Sequence, residues 1–390
     1  MFKYSHVLKG LLFVVVAVFL FVSVTLVRNP HIAVAMSEGF PAATWPSKGA
    51  FADVGKVANA KKIKSHKTAT ATKQLEQLFK NSEGTSLLVV RNGAVELELL
   101  GEGFGESTKY NSYSLVKSLV GVLVFKAVAE KKIQSLDVQL GTIFVEFEKS
   151  QLGTITLRSL LNMTSKIQFE TVGSKAMSVR EPKDLQESFA NPFGPMVELH
   201  FRGLREVLQH LVVAKNLDVK FNYQNINTAL LAMVVEKVYR QPINKVLEEK
   251  IWNPAGAGIA RWRKYGASRR VTAYCCLYAT TRDWARVAMF LMNNGSKEKP
   301  FLPSGLWDKF FGKTIKDERV LSGAYANHTR YDILNRKGQK LQGRFIYFMG
   351  HNGQVVYLMP EKNLIIVRFG GKPQLLHSTL YEAWNSITAK

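Results

Sequence analysis

The chain has 390 residues, 46% of them hydrophobic, and its 53 Lys and Arg against 30 Asp and Glu give a formal charge of +23. A chain of this length can bury a large core, and its 2 cysteines exclude a disulfide-framework scaffold. The basic balance suits anionic partners, but most of the charge is spread along the chain, with its clearest cluster at Lys56 to Lys67, and plain solubility explains it better. There is no zinc-ligand spacing, recognition-helix motif or Gly-rich phosphate loop, so nucleic acid is disfavoured.

Lys3 and Lys9 precede an uncharged, largely apolar run of 17 residues, 11–27, broken only by Ser23 and Thr25, which Arg28 closes. At about 1.5 Å per residue such a run spans roughly 25 Å, close to a bilayer core. Residues 1–27 therefore read as a signal-anchor, with a signal peptide cut near Ala33-Val34-Ala35 as the alternative. Either places the rest of the chain outside the cytoplasm, anchored in the membrane or secreted. Residues 28–72 read as a linker, because Pro30, Pro41 and Pro46 break helices and the Lys/Ala/Thr-rich stretch has no useful apolar face. Trp45 and Phe51 are candidates to dock locally on the globular domain.

The catalytic unit is expected over residues 73–390. A short amphipathic helix leads into two apolar runs, 85–91 and 94–100, joined by Asn92-Gly93, a strong hairpin signal. The run from Ser114 to Phe125 is apolar on nearly every face, the signature of a buried helix. Lys117 stands in its first turn, three residues after Ser114 and on the same face. A buried ammonium must be paired or give up its proton, so a serine one turn away is a candidate activated nucleophile. A lysine at a helix start can also snorkel to solvent. The same S-x-x-K spacing recurs at Ser296 and Lys299, in a polar turn with no helix behind it.

A mainly helical middle comes next. Y-x-N occurs at Tyr223-Gln224-Asn225, before an apolar helix, and again at Tyr325-Ala326-Asn327, with no helix after it; the first is chosen for the site. The adjacent Cys275 and Cys276 read as small buried hydrophobes, because neighbouring cysteines rarely bridge each other. Three β-rich runs, 343–349, 354–359 and 364–369, separated by His351-Asn352-Gly353 and a Pro360 turn, precede a closing helix. Strands at both ends with helices between imply an α/β (α+β) fold: one antiparallel sheet built from the N- and C-terminal strands, with a helical lobe inserted.

This order of hairpin, S-x-x-K helix, helical lobe, Y-x-N and H-x-G resembles the serine β-lactamase and penicillin-binding superfamily. It is most similar to the class C-like branch that includes 6-aminohexanoate-dimer hydrolase and related esterases. Ser114 to Ser118, Ile155 to Ser165, Tyr223 to Asn225, Thr281 to Arg286 and Gly350 to Gln354 carry the likeness. The resemblance implies an exported serine hydrolase that cleaves an amide or ester through an acyl-serine, a mechanism that needs no metal or organic cofactor. Ser114 would be the nucleophile, with Lys117 and Tyr223 sharing the proton transfers. Asn225 would orient Lys117 or contact substrate, and His351 would be a weaker carboxylate anchor than the usual lysine. Gly353 would allow close approach of the backbone, and the N–H groups of Ser114 and Gln354 would form an oxyanion hole. The alternative is a non-catalytic protein of this fold that binds cell-wall fragments. The segment 166–202, with Phe169, Phe189, Phe193 and Phe201, is expected to shape the pocket. The acyl group and the oligomeric state are not encoded in any motif.

Overall fold

The structure is a computed structural model that describes residues 2–39, 48–56, 60–66, 69–169, 193–214, 221–265, 270–296, 298–375 and 377–389. Trp45, Pro41, Pro46, Phe189 and most of the expected pocket-shaping segment lie outside the described residues. The chain divides into two compact units: Met1–Ala50 with Phe169–His210 and Tyr265–Arg269, and Phe51–Gln168 with Leu211–Lys264 and Arg270–Lys390.

In the first unit the apolar run forms a helix, Phe2–Arg28. Its Val7–Arg28 stretch has a mean hydropathy of 2.9 and is unburied, so by length and composition it is able to cross a membrane. A second helix, Pro30–Ser37, begins on the proline that was expected to break one. Proline is tolerated at the first helical position, where its missing N–H has no intrahelical partner. Ala35 of that helix packs with Val197 and Phe201 of the helix Pro195–Arg202.

Among the described residues the second unit carries fourteen strands: β1 (Phe51–Val54), β2 (Lys64–Ser65), β3 (Gly84–Arg91), β4 (Ala94–Leu100), β5 (Lys109–Asn111), β6 (Ile167–Phe169), β7 (Leu211–Val213), β8 (Ala260–Arg263), β9 (Leu277–Thr280), β10 (Tyr325–Ala326), β11 (Thr329–Leu334), β12 (Gly343–Gly350), β13 (Gln354–Met359) and β14 (Leu364–Gly370). The main sheet has eight strands in the order β10-β11-β12-β13-β14-β3-β4-β2. The N-terminal hairpin thus lies edge-on to the C-terminal meander, as the sequence implied. Only the two-residue β2 pairs in parallel. The β3–β4 turn takes φ 51° at Asn92 and 78° at Gly93, the left-handed pair that a tight hairpin requires. Part of the expected linker is structured: β1 pairs with β8, and the Phe51 ring meets Tyr278 edge-on at 5.4 Å.

Every residue of β13 and β14 is buried, as central strands covered on both faces must be. On one face Leu87, Val89, Tyr357 and Ile366 pack with Leu75 and with Leu380 and Ala383 of the closing helix Ser378–Thr388. The opposite face is covered by the helix Thr281–Met292. There Thr280 and Asp283 form a reciprocal capping box, and the Arg286 guanidinium donates to Asp283 Oδ1 at 2.9 Å. A smaller sheet, β1-β8-β9-β5, leads the chain to Ser112.

The helix Val116–Ala129 is buried at eleven positions, consistent with its apolar circumference. Its Gly121 lets a two-residue turn approach: a Cβ there would stand 2.5 Å from the Asn327 carbonyl oxygen. That turn, Asn327-His328, joins β10 to β11 with φ 55° and 59°. His328 ties three helices together. Its backbone N–H and Nδ1 approach the Leu161 carbonyl at 2.9 and 3.0 Å, its Nε2 lies 2.9 Å from Thr228 Oγ1, and its carbonyl accepts from Ser118 Oγ at 2.6 Å. Nδ1 against a carbonyl must carry the proton, so Nε2 accepts from Thr228. Burial first, and then the nearby Lys117 charge, push the imidazole pKa down to about 3 against the pull of the Leu161 carbonyl.

Two outcomes are expected from this packing. Gly121→Val should lower the unfolding free energy by about 1–3 kcal/mol through overpacking, read as a fall in the urea midpoint. His328 is less basic folded than unfolded, so its contribution is fully present above pH 6.5 and declines as pH falls from there toward 3. The slope from this one group is at most about 1.4 kcal/mol per pH unit. His328→Gln should therefore flatten the wild-type dependence of stability on pH across that window, measured by urea unfolding at each pH.

Candidate active site

Ser114 stands at a sharp strand-to-helix turn. β5 ends paired with β9, and Ser112 locks to Leu277 twice, N–H to carbonyl and N–H to Oγ, both at 3.0 Å. Tyr113 then adopts φ 44°, a left-handed conformation that costs about 1–2 kcal/mol for a side-chain-bearing residue. A single 3-10 turn, Tyr113–Leu115, enters the helix that carries Lys117. The strain rotates Ser114 out of the strand and leaves it half-buried at the helix start.

Lys117 is only 1% exposed. Its Nζ lies 2.8 Å from Ser114 Oγ and 2.8 Å from the carbonyl oxygen of Tyr274. The rings of Tyr223 and Tyr274 face the amine, with centroids 5.1 and 5.7 Å away. The amine does not snorkel; two oxygens and two aromatic faces take the place of water.

Tyr223 is held by the chain around it. Asn222 donates its backbone N–H to the Met163 carbonyl at 2.8 Å, and Met163 Sδ receives Asn227 Nδ2 at 3.2 Å. Asn227 Oδ1 also accepts from Ser165 Oγ at 2.6 Å. Met163, at φ 58°, comes just after the helix Leu157–Leu161, so the stretch from Ile155 to Ser165 pins the tyrosine segment. Asn225 is the first residue of the helix Asn225–Tyr239 and is half-buried.

A small cleft is lined by Ser114, Lys117, Ser118, Tyr223, Tyr325, His328, Thr329, Arg330, Tyr347 and Met349. Lys117 and Arg330 are its charged groups; no Asp or Glu is found among the described residues that line it. A larger cleft contains Asp332, His377 and Tyr381 but neither Ser114 nor Lys117. Its titratable pair is used internally, with His377 Nε2 2.9 Å from Asp332 Oδ2 and Nδ1 3.3 Å from Tyr357 Oη. Ser114, Lys117 and Tyr223, the candidate reactive residues, lie in the smaller cleft.

The sequence candidates thus divide. Ser114, Lys117 and Tyr223 share one cleft, whereas His351, Gly353 and Gln354 are not among the residues that line it. H-x-G forms the turn between β12 and β13 rather than part of a strand. His351 is exposed and meets the Tyr113 ring edge-on at 5.5 Å. The carbonyls of Asn352 and Gly353 accept from the fully buried Arg368, each at 3.0 Å. The Gln354 amide pairs with the Gly370 backbone in both directions, at 2.7 and 2.9 Å.

Two expectations are corrected by the structure. Cys275 and Cys276 are buried as expected, yet they form a disulfide. A left-handed Cys276, at φ 70°, turns neighbouring side chains that would oppose each other in a strand. The second Y-x-N also reaches the cleft, where the rings of Tyr223 and Tyr325 meet edge-on at 5.7 Å. Arg330, Tyr347 and Met349 carry no motif, though the period-two alternation of β12 puts the last two on one face.

No curated protein matches the chain. Among solved structures it is similar to a protein assigned as a 6-aminohexanoate-dimer hydrolase from Bacillus anthracis, at 22% identity and a TM-score of 0.67, covering 87% of this chain and 89% of that one. A D-stereospecific amidohydrolase from Streptomyces sp. matches at 16% identity and a TM-score of 0.57, covering 81% and 98%. A β-lactamase/D-alanine carboxypeptidase from Pseudomonas syringae matches at 13% and 0.53, covering 81% and 97%. Identities this low establish the shared fold and nothing finer. The family described as Beta-lactamase matches residues 72–380. That span takes in the serine turn, the helical lobe and the C-terminal meander, and the chain belongs to the β-lactamase family.

Proposed function

We propose that the protein is an exported serine hydrolase that cleaves an amide or ester through an acyl-serine. The observation that carries the reading is the 2.8 Å contact between Lys117 Nζ and Ser114 Oγ in a cleft shared with Tyr223. Ser114 Oγ attacks the substrate carbonyl carbon, and its proton passes to the Lys117–Tyr223 pair. The tetrahedral intermediate collapses, the carbon–nitrogen or carbon–oxygen bond breaks, and the pair returns the proton to the leaving group. Water then attacks the ester carbonyl, giving its proton to the same pair, and Ser114 leaves reprotonated. The two groups act as one coupled unit. Their proximity turns a weak nucleophile into a competent one near neutral pH.

The lining supports an anionic substrate. Arg330 is a permanent cation half-exposed in the cleft, and no described carboxylate opposes it there. It is a better-placed partner for a substrate carboxylate than His351. Export and membrane tethering rest on the apolar helix Phe2–Arg28.

Ser114→Ala should reduce turnover of a p-nitrophenyl ester by at least about 10³-fold, with the fold retained. Lys117→Met should abolish turnover as well, yet hold or raise the thermal midpoint, because a desolvated amine is replaced by a side chain of similar volume. Turnover surviving in Lys117→Met, together with a large loss of stability, would make the lysine structural.

A further inference from the structure

The Tyr325 hydroxyl is the feature of the cleft that the acyl-serine mechanism leaves unused. Its oxygen is shielded from solvent, and no protein group among the described residues makes a hydrogen bond to it. Other buried polar atoms share that condition, but Tyr325 alone among them belongs to a residue lining the Ser114 cleft. A buried hydroxyl without a partner is costly to keep, so such groups in native proteins call for an explanation.

The ring is held where it stands. Phe221 and Tyr223 flank it with centroids 5.3 and 5.7 Å away, and the Arg330 guanidinium lies 5.5 Å from the ring centroid. The Asn327-His328 turn fixes the backbone just after it, with Asn327 N–H on Asn162 Oδ1 at 3.1 Å and His328 N–H on the Leu161 carbonyl at 2.9 Å. Burial, and after it the neighbouring Tyr223, raise the phenol well above the ordinary tyrosine range despite the opposing pull of Arg330. The group therefore keeps its proton wherever the enzyme works. Tyr223 lies with its ring face to the Lys117 amine, whereas Tyr325 is a fixed neutral donor.

We infer that Tyr325 is a substrate-binding residue: its hydroxyl donates a hydrogen bond to an acceptor oxygen of the substrate, a carbonyl or carboxylate seated between Tyr325 and Arg330. The inference rests on the acyl-serine reading of the cleft and deepens it by naming what recognises the substrate. The binding energy comes from completing a bond that the folded protein leaves unmade, so the donor discriminates against substrates without an oxygen at that place.

The test uses N-phenylsuccinamic acid, which carries both an amide carbonyl and a carboxylate. Its dissociation constant is measured by calorimetry on full-length Ser114→Ala and on Ser114→Ala combined with Tyr325→Phe, a background in which acylation plays no part. The expected result is binding weakened about tenfold by Tyr325→Phe, the size of one lost hydrogen bond. The thermal midpoint should be no lower than that of the parent, since Phe removes only the unsatisfied oxygen. Equal dissociation constants, or a lower midpoint showing that the hydroxyl is satisfied inside the fold, would overturn the inference. Failure of the acyl-serine reading shows separately, as Ser114→Ala turning over p-nitrophenyl acetate at the wild-type rate.

Discussion

Removing the Lys117 amine from water is the constraint around which the second unit is organised. An ammonium in an apolar helix costs several kcal/mol unless its donors are met. Here Ser114 Oγ and the Tyr274 carbonyl meet it at 2.8 Å each, and Tyr223 and Tyr274 present their ring faces. Ser114 is a local partner, but Tyr223 and Tyr274 arrive from distant parts of the chain, so the amine's full environment exists only in the completed fold. The contact that makes burial tolerable is also the one that sets an amine against a hydroxyl.

Much of the surrounding structure holds those partners still. β5 and β9 clamp Ser112 and force the left-handed Tyr113 that turns Ser114 into the cleft. Met163 grips the tyrosine segment through its carbonyl and its sulfur. The uncharged His328 joins the serine helix to the helices that carry Leu161 and Thr228. Rigid placement of this kind lets a hydroxyl and an amine react as neighbours rather than as solutes.

The fold is legible in the sequence where local chemistry decides structure. The Asn92-Gly93 hairpin, the all-apolar serine helix and the strands at both chain ends need only turn preference and periodicity, and each is present. Motif order groups Ser114, Lys117 and Tyr223, and all three line one cleft. Tyr274 carries no signal, because its hydrogen bond comes from a backbone carbonyl, which any residue type has, and its ring face comes from a position that no motif marks. Tyr325 is passed over in the sequence for want of a following helix, although a two-residue turn positions it just as firmly. His351 and Gly353 stand out as a motif, but the buried Arg368 behind that turn has no local signature. The stretch Thr281 to Arg286 supplies Asp283 to a capping box with Thr280 and Arg286 to an ion pair with that carboxylate, structural features rather than reactive ones. Long-range convergence, not residue identity, is what the motifs do not encode.

Under the proposed acyl-serine reading Ser114 is activated by the buried amine beside it, and one labelling measurement tests that dependence most directly. The full chain is exposed briefly to a fluorophosphonate and its peptides are mapped by mass spectrometry. The account predicts one adduct, on Ser114, in the wild type and none in Lys117→Met over the same interval. An unmodified wild-type serine, an adduct elsewhere, or equal labelling of both proteins would contradict it.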